Sequence, residues 1–63
     1  MKSPVAKALE IVDEDQKVYN FDSRQCYSIK RLLAAKSVAQ LFIGLDAEQR
    51  GFWYEDEGFI EKK

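Results

Sequence analysis

Apolar residues recur along the first third of the chain at helical spacing: Val5, Ala8, Leu9 and Val12 share one face. Ser3 stands ready as an N-cap, with Pro4 at the first helical position, where its missing N–H costs nothing. Asp13-Glu14-Asp15 would set three negative charges at the negative end of the helix dipole, which predicts a helix over 4–13 that stops there. Residues 17–21 (Lys-Val-Tyr-Asn-Phe) are short, β-branched and aromatic and predict a strand. Asp22 with Gln25 three residues on forms a capping-box pattern that starts a second helix at Ser23.

The phase of the apolar positions sets the length of that second helix. Cys26, Ile29, Leu32 and Leu33 lie on one face, whereas Val38, Leu41 and Leu45 fall nearly opposite. One straight helix cannot bury both stripes against a single core, so the pattern predicts a helix over 23–35 and a break between Ala35 and Ser37. The apolar run 38–45 fits a buried strand or a third short helix, which periodicity does not separate. Gly51-Phe52-Trp53-Tyr54-Glu55 predicts a strand over 51–55, Asp56-Glu57-Gly58 a turn, and 59–61 an optional last strand. The expected fold is therefore α+β: two helices and a small antiparallel sheet in one domain spanning 1–63.

At 63 residues a chain buries only about 60% of its unfolded surface, and such domains lean on staples or partners. Cys26 is the only cysteine and histidine is absent, which excludes an internal disulfide and a structural zinc site. With 46% hydrophobic and 13% aromatic residues there is material for a core. Association is the remaining aid, so a homodimer or a partner-bound domain is expected. The longest apolar run, Leu41 to Leu45, is far short of the roughly 20 residues that span a bilayer. The N-terminus lacks the apolar region of a signal peptide, so the expected compartment is the cytoplasm.

The net charge of −1 is unevenly distributed. Residues 16–45 carry five basic side chains against Asp22 alone, whereas both flanking segments are acidic. A basic middle between acidic ends suits self-association or a partner of mixed charge.

Candidate chemistry is sparse. Without histidine the commonest general base is missing. Cys26 lies on the apolar stripe with Ile29 and Leu33 and reads as core filler. Asp13-x-Asp15 and Glu55-Asp56-Glu57 do not match a calcium loop, and no glycine-rich phosphate loop is present. The chain is thus expected to be non-enzymatic, with no catalytic residue, metal, cofactor or small-molecule substrate. Binding rests on two groups of residues. Arg24, Lys30 and Arg31 fall on the outer half of the second helix, and Phe52, Trp53 and Tyr54 form an aromatic set with acidic neighbours. On a strand Phe52 and Tyr54 would share one face and Trp53 would take the other.

The first functional expectation is a small accessory or regulatory protein, of the kind bacteria, plasmids and phages encode, acting through protein–protein contact. Phe52, Trp53 and Tyr54 would anchor the partner, and Arg24, Lys30 and Arg31 would form a charged rim. The alternative is a nucleic-acid-binding regulator of winged-helix type, with residues 37–50 as recognition helix and Asp56-Glu57-Gly58 as the wing. That helix would offer Gln40 as the one polar side chain between Val38 and Leu45, and an acidic wing would repel phosphate.

Overall fold

The computed structural model describes residues 2–61. Four helices follow one another: α1 (Pro4–Tyr19), α2 (Ser23–Leu33), α3 (Lys36–Ile43) and α4 (Ala47–Asp56). Among the described residues there is no strand, so the α+β expectation is corrected to an all-helical domain. Residues 17–19 close α1, residues 36–43 form α3, residues 51–55 lie inside α4, and 59–61 form no strand.

α1 starts as its sequence dictates, with the Ser3 hydroxyl accepting the Ala6 N–H at 3.1 Å. It does not stop at Asp13, because two of the three carboxylates that oppose the dipole find cations. Asp13 pairs with Lys30 of α2 at 3.2 Å, and Asp15 is buried against Arg50 of α4 at 2.8 Å. The helix ends at Asn20, whose left-handed backbone (φ 57°) lets its N–H reach the Gln16 carbonyl. Asn adopts this conformation more readily than other non-glycine residues.

α2 has the capping box in full: the Gln25 N–H donates to Asp22 Oδ1 at 2.8 Å and the Asp22 N–H to Gln25 Oε1 at 3.1 Å. Cys26, Ile29 and Leu33 turn inward. The helix ends at Leu33, two residues short of the expected 35, and α3 starts at Lys36 behind Ala35, which supplies no side-chain cap. The break rephases the chain so that Ala39 and Phe42 also reach the core.

α4 opens on a second capping box. Asp46 and Gln49 repeat the Asp22–Gln25 exchange, with bonds of 2.8 and 3.2 Å. Its C-terminus is a Schellman turn: the Phe59 N–H returns to the Tyr54 carbonyl and the Gly58 N–H to Glu55, around Gly58 at φ 84°. The turn folds Phe59 back until its ring stacks on Trp53.

α1, α2 and α3 pack closely on one another, while α4 joins them through long side chains. Tyr54 is fully buried and meets the rings of Tyr19, Phe21 and Phe42 at centroid distances of 5.3, 5.0 and 6.0 Å. Edge-to-face contacts like these add about 0.5–1.5 kcal/mol each beyond area burial. No helix among the described residues is long and apolar enough to cross a membrane.

Candidate functional site

Polar chemistry concentrates at one buried point, where α1 meets α4. Asp15 sits on the inward stripe of α1, one turn from Val12 and Tyr19, and is only 6% exposed. Its Oδ2 accepts Arg50 Nε at 2.8 Å and the Tyr54 hydroxyl at 2.6 Å, while Oδ1 accepts Arg50 Nη2 at 3.3 Å. Arg50 Nη1 donates to the Leu45 carbonyl at 3.4 Å. The planar guanidinium thus holds the carboxylate with two nitrogens, an arrangement lysine cannot copy. Burial, reinforced by the bond to Asp15, holds the Tyr54 hydroxyl well above its ordinary pKa, and the same carboxylate raises that of Arg50. Gly51 makes room beside the cluster, since a Cβ there would lie 3.1 Å from the Tyr19 hydroxyl.

The four hydrogen bonds of this cluster all end on Asp15 or the Leu45 carbonyl of the same chain. Among the described residues no buried side-chain polar atom lacks a partner, no pocket opens, and no group of metal-ligating side chains assembles. The cluster therefore acts as a lock between α1 and α4.

The sequence-predicted site residues separate in space. Tyr54 belongs to the core and cannot touch a partner directly. Trp53 is half-buried, with its ring 5.1 Å from Phe42 and 5.5 Å from Tyr54. Phe52 is 53% exposed. The expectation that Phe52 and Tyr54 share a face is corrected, because on a helix two residues are separated by about 200°. Arg24 and Arg31 are exposed, whereas Lys30 is half-buried and tied to Asp13.

The surface that remains has two ordered stripes. Arg24, Tyr27 and Arg31 recur at i, i+3 and i+7 on the outside of α2, with Tyr27 58% exposed. Glu48, Phe52 and Glu55 recur at i, i+4 and i+7 on α4, opposite Tyr54. Leu41 of α3, 59% exposed, is left open as well, as are Val18 of α1 and, less so, Leu32 of α2. Sequence reading did not single out Arg50, and it took Asp15 for part of a solvated acidic stretch and Leu41 for part of a buried run. A signal for Arg50 lay in Asp46-x-x-Gln49, which repeats the spacing of Asp22-x-x-Gln25 and starts the helix that carries it.

Fold and surface together define an all-helical domain with a buried polar lock and two charged, aromatic helix faces. Compared with protein-family models, curated proteins and solved structures, the chain matches none of them.

Proposed function

We propose that this chain is a small, non-enzymatic cytoplasmic regulatory or accessory protein that works by protein–protein contact through the outer faces of α2, α3 and α4. The observation that carries this reading is that Tyr27, Leu41 and Phe52, large apolar side chains on α2, α3 and α4, are each more than half exposed in a domain with little apolar material to spare. Aromatic anchors with a charged rim are the composition favoured at protein interfaces. Trp53 turns inward onto Phe42 and Tyr54, and Arg24 and Arg31 supply charge, so the anchor narrows from three aromatics to Phe52. A photo-crosslinking residue placed at 52 or 41 should form protein adducts in cells of the source, whereas the same group at exposed Lys7 should not. Equal yields at all three positions, or no protein adduct at 52 and 41, would refute the reading.

Arg24 and Arg31 also favour a second reading as a nucleic-acid binder. Neither has a carboxylate partner among the described residues, and Tyr27 between them offers a stacking face. The winged-helix form of this reading is corrected: the wing residues lie in the end of α4 and its Schellman turn, and 37–50 spans two helices. Binding of mixed-sequence DNA or RNA that weakens steeply with salt supports it, and no binding at low salt sinks it.

A further inference from the structure

Resting on the protein-contact reading, we propose that the partner seated on the α2 stripe is a second copy of this chain, which presents its α4 stripe. The two stripes are complementary in both charge and spacing. On α2, Arg24 lies about 4.5 Å along the axis before Tyr27, and Arg31 about 6 Å after it. On α4, Glu48 lies about 6 Å before Phe52, and Glu55 about 4.5 Å after it. Set ring against ring, the stripes place each arginine opposite a glutamate with zero axial offset when the helices run antiparallel. The proposed arrangement is therefore the antiparallel one, which pairs Arg24 with Glu55 and Arg31 with Glu48; a parallel one leaves an offset of about 1.5 Å.

Three observations favour a copy of the chain over another occupant. Arg24 and Arg31 have no intramolecular carboxylate, and Glu48 and Glu55 no intramolecular cation, among the described residues. The one cation of α4, Arg50, is already neutralised by Asp15, so it does not offset Glu48 and Glu55 beside Phe52. The basic and acidic faces lie on separate helices of one molecule, so a two-fold pair forms the α2–α4 contact twice, while a lone partner of one charge would satisfy a single face. The pairs are at the rim, where complementary charge sets partner choice and salt sensitivity, and the Tyr27–Phe52 contact supplies the buried apolar centre.

Sedimentation equilibrium of the full chain tests this directly. The wild type is expected to dimerise, and dimerisation should weaken as salt rises. Arg31→Glu and Glu48→Arg should each weaken it by roughly tenfold or more, since each sets like charges face to face. Mixed in equal amounts, the two variants should form a heterodimer of near wild-type affinity, because the reversed α2 stripe of one then meets the reversed α4 stripe of the other. Far-ultraviolet circular dichroism checks that each variant stays helical, and Arg24→Glu with Glu55→Arg replaces any variant that does not. A wild type that stays monomeric throughout, or a mixture no tighter than either variant alone, overturns the proposal. A monomer whose position 52 still crosslinks to a different protein overturns self-association and leaves the protein-contact reading standing.

Discussion

Replacing Arg50 by methionine removes two of the three donors on the Asp15 carboxylate and leaves the Tyr54 hydroxyl alone to hold it. Removing one partner of a buried ion pair costs about 3–5 kcal/mol, because the other charge stays uncompensated. The Arg50 side chain keeps 19% exposure, so water reaches part of the vacated space, and about 2–4 kcal/mol is the better expectation. A domain of 63 residues has in total about 3–9 kcal/mol. Arg50→Met should therefore lower Tm by about 8–30 °C, at roughly 4–8 °C per kcal/mol. Thermal unfolding followed by circular dichroism reads this out, with Trp53 fluorescence as a second probe. The triple variant Asp15→Leu, Arg50→Met, Tyr54→Phe removes the whole polar set and should regain most of the loss, since a well-packed apolar replacement of a buried ion pair is often neutral. If Arg50→Met cost less than about 1 kcal/mol, or if the triple variant were less stable than Arg50→Met, the account of the lock would be wrong.

Three further predictions come from the same geometry. The unfolded chain releases the Tyr54 proton near pH 10 while the folded chain retains it, so this stabilisation is complete below about pH 10 and is lost as pH rises beyond it. Tyr54→Phe should accordingly flatten the alkaline fall of Tm relative to wild type, and parallel curves would contradict this. Gly58→Ala strains the Schellman turn and should cost about 1 kcal/mol, with a change in Trp53 emission as Phe59 loosens; an unchanged Tm would show that the turn carries no strain. Gln25 closes its capping box and also donates to the Phe59 carbonyl at 3.1 Å, whereas Gln49 closes only its box. Gln25→Ala should therefore cost about 1 kcal/mol more than Gln49→Ala in matched denaturant titrations, and equal costs would count against a structural role for the Phe59 bond.

What the sequence made legible was local chemistry. Ser3-Pro4 and Asp22–Gln25 mark helix starts through bonds that span three residues, and the break before α3 follows from the rotation between two apolar stripes. The misreadings came from long-range partners. Asp13 and Asp15 end a helix if they face water, but Lys30 and Arg50 lie 17 and 35 residues further along the chain. Asp15 also interrupts the apolar rhythm of α1, so the helix hides its own inward stripe. Residues 51–55 have strand-like side chains, and a β reading is sound for an isolated peptide. The Asp46–Gln49 box upstream and the Schellman turn downstream override that preference, as does the burial of Tyr54 among four other rings. Of the candidate interface, the arginines of α2 and Phe52 were legible from phase and composition. The Arg24–Tyr27–Arg31 stripe as a unit emerges only once the inner face of α2 is fixed.

The lock between α1 and α4 also bears on how many ways this small domain can close. Aromatic rings tolerate sliding, and an α4 held by rings alone would find several rotations of similar energy. A carboxylate addressed by Nε, Nη2 and a phenol at once is satisfied at one of them. Shifting α4 by a single residue turns it by about 100° and strands all three donors away from Asp15. Uniqueness is thus assigned to a few polar atoms while cohesion is left to the rings. A triple apolar variant that kept its Tm would be expected to show poorer dispersion in its methyl and amide spectra, as one native arrangement gives way to several.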